Sequence, residues 1–167
     1  YICIMATLSV TINESITLNG RERGSEINLD IASITQVMQR IVSLPADGGS
    51  TATQTTIANF RTDVTTVDSA MDDDDVKYIR VTNLDSSNNV HLSLQLAANG
   101  SADASTQASV ILEAGKSFLL GKAVSAVAVD DDAATATATG SLVDLESIIA
   151  VNDNNADVDV EVFVASA

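Results

Sequence analysis

Apolar and polar residues alternate in period two over much of the chain. Leu8, Val10 and Ile12 alternate with Ser9 and Thr11, and Ile16 and Leu18 resume the pattern beyond Asn13-Glu14-Ser15. Asn19-Gly20 and the charged run Arg21–Gly24 read as a turn, after which Ile27, Leu29 and Ile31 alternate with Asn28 and Asp30. Val90, Leu92, Leu94 and Leu96 alternate with His91, Ser93 and Gln95, and Val158, Val160, Val162 and Val164 with Asp159, Glu161 and Phe163. Successive side chains of a strand point to opposite faces, so this pattern predicts strands with one face on a core and the other in water. Short β-branched runs at Val76–Thr82, Ser109–Glu113, Ser117–Leu120, Val124–Val129 and Leu145–Val151, separated by Gly, Asn, Asp and Ser clusters, extend the series. Eight to ten short strands at this spacing predict an all-β fold, an antiparallel sandwich or barrel, of which a jelly-roll-like β-sandwich is the expectation adopted.

One segment carries a second period. Ile34, Val37, Met38, Ile41 and Val42 fall at i, i+3, i+4, i+7 and i+8, the stripe of an amphipathic helix, with Ser33 placed to cap it and Pro45 to stop it. Against one short helix at 33–44 stand its β-branched residues and the strand directly before it; the residues alone leave both readings open, and the lean to strand rests on the resemblance given below. Ser50–Thr56 and Ala133–Thr139 are low-complexity runs of Ser, Thr and Ala, and a Thr-rich stretch suits an exposed strand. The expected organisation is an N-terminal tail or arm at 1–6 and one β-sandwich domain at 7–167, with an internal lobe boundary considered at Asp72–Asp75. Met5-Ala6-Thr7-Leu8 reads as an ordinary translation start, and Tyr1–Ile4 lacks the length and basic flank of a signal peptide, so cytoplasmic synthesis is expected.

Charge narrows the classes of partner. The 167 residues include 23 acidic and 8 basic side chains and one histidine, for a net charge of -15. That balance argues against nucleic-acid and anionic-membrane binding, which need a basic surface, and no apolar run approaches the ~20 residues of a spanning helix. Aromatic residues make up 3% of the chain, with no Trp, so the core must be aliphatic. Six of the eight cations (Arg21, Arg23, Arg40, Arg61, Lys77, Arg80) lie in residues 1–83 beside 11 acids, whereas Lys116 and Lys122 face 12 acids in residues 84–167. A protein polarised in this way can dock through its less acidic side; the alternative is that the acidic composition serves solubility alone.

Catalytic chemistry is thinly supplied. His91, the one histidine, sits at a solvent-facing strand position, and no G-x-S-x-G elbow, P-loop or G-x-G-x-x-G is present. Cys3 stands alone, which rules out an internal disulfide. A carboxylate pair of the glycosidase type would want a cleft lined by aromatic rings, which this composition hardly provides. A non-enzymatic protein without catalytic residues or organic cofactor is expected. Asp153, Asn155 and Asp157 match positions one, three and five of an EF-hand loop, but Val158 and Val164 occupy the positions that need Gly and Glu, so that motif fails. A looser structural cation, calcium, remains an option at Asp72, Asp73, Asp74 and Asp75 or at Asp130, Asp131 and Asp132; the alternative for each run is a solvated acidic turn. Asn13-Glu14-Ser15 and Asn99-Gly100-Ser101 match a glycosylation sequon without a secretory signal beside them.

Five phrases in order, Met5–Gly20 (MATLSVTINESITLNG), Val76–Asp85 (VKYIRVTNLD), Leu112–Leu120 (LEAGKSFLL), Leu142–Val151 (LVDLESIIAV) and Val158–Ala165, resemble the small all-β virion proteins of marine tailed phages, especially cyanophages. The resemblance implies a structural role on the particle: a capsid decoration (cement or knob) protein on the virion exterior, or a tail or fibre component. It implies the major capsid protein and other copies of this chain as partners, and no active site. Arg21 and Arg23, in a turn between two strands, are the candidates for shell contact. The apolar tail with Tyr1, Ile2 and Ile4 is the candidate arm that pairs with a neighbour's sheet edge. A calcium-binding surface β-domain is the remaining alternative.

Overall fold

The valine alternation near the C-terminus becomes the strand around which two sheets assemble. A computed structural model describes residues 5–48, 52–61, 70–97, 106–128 and 142–167. The strands in chain order are β1 (Ala6–Glu14), β2 (Thr17–Leu18), β3 (Arg21–Glu22), β4 (Ser25–Ile34), β5 (Gln36–Leu44), β6 (Thr53–Arg61), β7 (Met71–Asp72), β8 (Val76–Asn83), β9 (Val90–Leu96), β10 (Thr106–Leu112), β11 (Ser117–Leu120), β12 (Leu145–Asn152) and β13 (Val158–Ser166). Leaving aside the first four strands and the two-residue β7, eight strands pair first with last: β5 with β13, β6 with β12, β8 with β11 and β9 with β10, all antiparallel. Two further pairings, β8 with β13 and β9 with β12, close this long ribbon into sheets ordered β11-β8-β13-β5 and β10-β9-β12-β6, and β7 adds to β6 as a short parallel edge. Such nesting is the double Greek key of a jelly roll.

The core lies between the sheets and is aliphatic, as the composition requires. Val158, Val160, Val162 and Val164 of β13 meet Leu92, Leu96, Leu145 and Ile148 from the opposite sheet, each fully buried. Phe60 is the one fully buried ring among the described residues. On the outer face of the five-stranded sheet Gln95 and Ser93 hydrogen-bond each other and Gln107, and Ile111 of β10 is exposed opposite His91.

Residues 36–44 form a strand, and the helical spacing has a simple origin. β5 runs in unbroken register with β13 from Leu44↔Val158 to Gln36↔Ser166. Its even positions (Met38, Val42, Leu44) face the core while Val37 and Ile41 face outward, so apolar residues on both faces of one strand imitate a helix stripe. Ser33, considered as a helix cap, instead takes a left-handed conformation (φ 64°) where the chain turns from β4 into β5. The strand expected at Val124–Val129 is not continuous: Val124 and Ser125 form a turn, and Val127 makes an isolated bridge to Val143. The Thr-rich run ending at Thr56 leads into β6, which is buried at Ile57, Ala58 and Phe60.

Where the chain crosses between sheets, the ladder ends and backbone carbonyls lose their partners, so another donor must satisfy them. Two fully buried asparagines supply it. Asn83, at the end of β8, donates from Nδ2 to the carbonyls of Asn88 (2.8 Å) and Leu112 (3.2 Å) and accepts the Asp85 amide at Oδ1. Asn152, at the end of β12, places Nδ2 at 3.0 Å from the carbonyls of Leu44, Pro45 and Ala156, while its Oδ1 accepts from Asn154. Asn154 then reaches the Asn89 carbonyl, and the Asn89 side chain accepts the Ala114 amide. Four loops at one end of the sandwich are thereby tied together. Replacing Asn152 with Ala strands buried carbonyls, and we expect a loss of about 2–3 kcal/mol. Urea denaturation should show this as a lowered midpoint at unchanged slope; a shift of a few tenths of a kcal/mol would mean that water substitutes for the amide.

Candidate interaction arm

The first four strands stand outside the two main sheets as a single ribbon. β1 and β4 pair in register from Leu8↔Ile31 through Val10↔Leu29 and Ile12↔Ile27 to Glu14↔Ser25. Because side chains alternate, three apolar pairs share one face: Leu8 with Ile31, Val10 with Leu29, and Ile12 with Ile27. The opposite face is polar, and its cross-strand partners hydrogen-bond each other: Ser9 with Asp30, Thr11 with Asn28, Asn13 with Glu26. Asn13, the first sequon position, is therefore part of the polar ladder. With strands of nine and ten residues, the ribbon is on the order of 30 Å long.

Beyond this ribbon the tip is a small hairpin of its own. Thr17 pairs with Glu22 and Leu18 with Arg21 across the two-residue turn Asn19-Gly20, whose φ values of 54° and 72° are those of a type I′ turn. The Glu22 carboxylate folds the tip against its neck. Its Oε1 accepts the amides of Gly24 (2.8 Å), Ile16 (2.9 Å) and Arg23 (3.2 Å), and Oε2 accepts the Thr17 hydroxyl. These donors, the Gly24 amide first, hold the Glu22 carboxyl below its ordinary pKa. Gly24 is required at the neck, since a β-carbon there would overlap the Glu14 carbonyl.

The arm is anchored on the outer face of the four-stranded sheet. Leu8, Val10 and Ile31 pack with Ile34 against Tyr78, Phe163 and Ala165. The Tyr78 and Phe163 rings meet edge to face, 6.0 Å between centroids at 73°, and the Arg80 guanidinium lies 5.9 Å from the Phe163 centroid. Beside these rings a polar row crosses all four strands of the sheet. Ser117 hydrogen-bonds Thr82, Arg80 donates to Thr82 and to Glu161 (2.7 Å), and Gln39 donates to Glu161 (2.7 Å). Gln39, followed by Arg80, holds the Glu161 carboxyl below its ordinary pKa. The distal arm is not covered: Ile12, Ile27 and Leu29 are 42%, 55% and 50% exposed. Between arm and sheet lies an open cleft of about 410 Å³, lined by the β1 stretch Leu8–Ile12 and by Tyr78, Arg80, Leu119 and Phe163.

The structure places the residues singled out in the sequence as follows. Arg21 and Arg23 are exposed at the arm's tip and neck. Tyr1, Ile2, Cys3 and Ile4, together with Asp130, Asp131, Asp132 and Asn99, lie outside the described residues. Asp72, Asp73, Asp74 and Asp75 occupy the end of β7 and the turn into β8. Carboxylates of the first three converge within 4.8 Å, while Asp72 and Asp73 also accept the Asp74 amide in the manner of turn-forming aspartates. His91 faces outward on the five-stranded sheet, its Nε2 3.5 Å from the half-exposed Asp153 carboxylate. Asp157 accepts the Ala46 amide, so the Asp153–Asp157 loop serves the sandwich end. Sequence reasoning passed over Tyr78 and Phe163. Phe163 carried a signal: it is an aromatic at a position of β13 where Asp159 and Glu161 mark the outward face.

A titration tests the neck. A depressed carboxyl pKa stabilises the folded neck above the ordinary value of 4.5, and that contribution is lost as pH falls through the lowered folded value. Amide chemical shifts of Ile16, Arg23 and Gly24 should therefore titrate together with a midpoint below 4.5 and stay flat in Glu22→Gln. Independent midpoints, or one shared midpoint at the ordinary value, would contradict the arrangement. A scan against models of known protein families, a search of curated proteins and a search of solved structures found no match to this chain.

Proposed function

We propose that this chain is a non-enzymatic structural protein of a virion. In this reading it is a capsid decoration protein that docks on the exterior of an assembled phage capsid and reinforces contacts between capsomers. The arm is the observation that carries the reading. Residues 6–34 hold Arg21 and Arg23 against Glu14, Glu22, Glu26 and Asp30, a net of 2 − 4 = -2, which leaves -13 for the rest of a chain of -15. The arm is thus somewhat less acidic for its length than the rest of the chain, and it offers two cations at its tip beside exposed Ile16 and Leu18.

Two further considerations agree. The jelly roll is an architecture shared by viral capsid domains, lectins and cupins, an analogy of fold and not of chemistry. The strand phrases of the chain resemble small phage virion proteins. A decoration protein repeats over many equivalent shell sites, so modest contacts at each arm add up to a stable coat. The partners in this reading are the major capsid protein and neighbouring copies of this chain, and the place of action is the capsid exterior.

Binding of the purified chain to capsids stripped of it tests the proposal. Arg21→Glu with Arg23→Glu should lower occupancy at least about tenfold at low salt, less as salt rises, with an unchanged circular dichroism spectrum. Unchanged occupancy would overturn the role of the tip. Cryo-EM density on the capsid lattice would support decoration, whereas density confined to the tail would replace it with a tail or fibre role.

A further inference from the structure

We propose that Asn19, at the tip of the arm, is a site of spontaneous covalent modification. Its side-chain amide closes on the Gly20 nitrogen and is converted, with water as the only co-reactant, to aspartate and isoaspartate. Electrophile and nucleophile stand open on one two-residue turn. Asn19 is exposed, and among the described residues none hydrogen-bonds its side chain. Leu18↔Arg21 is the last pair of the tip hairpin, so the Gly20 amide lies beyond the ladder. Gly20 has no side chain to shield that nitrogen, and even a β-carbon there would meet nothing within 4 Å. A tetrahedral intermediate therefore has room to form.

The other described asparagines lack this combination. Each is followed by a residue with a side chain, from Asn13-Glu14 to Asn155-Ala156. Asn83 and Asn152 are fully buried as well, and the Asn13 side chain donates to Glu26. Asn99-Gly100 repeats the dipeptide outside the described residues.

The step balances without redox chemistry. The Gly20 nitrogen gives its proton to solvent and bonds to the Asn19 Cγ; the Cγ–Nδ2 bond breaks, and ammonia leaves behind a five-membered succinimide. Water then opens the ring at either carbonyl. Opening at Cγ gives aspartate. Opening at the main-chain carbon gives isoaspartate, whose backbone runs through the β-carbon and is one atom longer. Ring closure needs Asn19 to leave the turn's ψ of about +30°, so reaction proceeds from the opened tip. Opening is easy there. Glu22 clamps Ile16, Thr17, Arg23 and Gly24, which leaves the turn itself to the pairs Thr17↔Glu22 and Leu18↔Arg21. So short a two-stranded element is marginal in water.

Both products change the tip. Residues 15–24 hold Arg21 and Arg23 against Glu22, a net of 2 − 1 = +1, and one new carboxylate brings that to zero. The extra main-chain atom of isoaspartate also breaks the two-residue closure of Leu18 on Arg21. The chemistry does not depend on what the arm binds, so its failure leaves the virion reading untouched.

Peptide mapping of the folded chain after warm incubation at mildly alkaline pH tests the proposal. Trypsin cuts after Arg21 and so separates Asn19 from Asn99, and fragment ions separate Asn19 from Asn13. Asn19 should acquire the mass of an acid in place of an amide, with isoaspartate among the products. Its rate should lie within about a hundredfold of that of an unstructured peptide of residues 15–24. Gly20→Ala should slow conversion at least about tenfold. That variant places a side chain at φ 72°, so Asn19→Gln, whose longer side chain closes a less favourable ring, gives a second reading and should abolish conversion. An Asn19 amide that stays intact, or converts more slowly than the stated range while the peptide reacts, would overturn the proposal. So would conversion of Asn13 as fast as Asn19, or either variant reacting as the wild type does.

Discussion

Strand β13 is apolar on its inner face from Val158 to Val164 and over half of its outer one, and the molecule is arranged around that fact. On its inner face Val158, Val160, Val162 and Val164 close the core, and its edges pair with β5 and β8, so it holds the four-stranded sheet together. On its outer face the residues change along the strand from Asp159 and Glu161 to Phe163 and Ala165. The charged half meets water or a counter-ion, whereas the apolar half must be covered. The arm covers it. A ribbon that would be marginal alone gains an anchor, and a sheet that would expose two rings gains a partial third layer.

The division of labour between the two sheets follows. The five-stranded sheet carries a hydrogen-bonded group of Ser93, Gln95 and Gln107 on the outer side of β9 and β10, while the four-stranded sheet turns rings, aliphatics and a neutralised ion pair toward the arm. At one end the loops are tied by Asn83, Asn89, Asn152 and Asn154, which replace ladder hydrogen bonds as the chain changes sheet. That end is built for rigidity. The arm instead carries its own fixed elements, a type I′ turn, the Glu22 clamp and the Gly24 neck, which hold an extended shape without a core. A preformed ribbon of this kind loses little ordering entropy when it contacts another surface.

Much of this was legible in residue patterns. The period-two runs located β1, β4, β9 and β13, and Asn19-Gly20 marked its turn, because these signals are local. Where Val37 and Ile41 made both faces of β5 apolar, periodicity alone could not separate strand from helix, and the long-range pairing with β13 decided. The Thr-rich run marked the start of β6 as strand, but it gave no sign of the buried Ile57, Ala58 and Phe60 that follow, since Thr marks a β surface without saying which way it faces. Alternation in β1 and β4 was read as one face on a core; the apolar face was real, but its partner was the outside of another sheet. No local pattern distinguishes those two destinations. Asn83 and Asn152 carried no local signal, because their buried role depends on carbonyls distant in the chain.

The central claim is that the arm is a folded layer held by Phe163 and Tyr78, independent of the sandwich core. Amide hydrogen exchange compared between the wild type and Phe163→Ser tests it most directly. The account predicts protected amides along β1 and β4 in the wild type, a selective loss of that protection in the variant, and unchanged exchange in β9 and β12. Arm amides that exchange in the wild type as in an unfolded chain would contradict it, as would a variant that loses protection evenly through the whole domain.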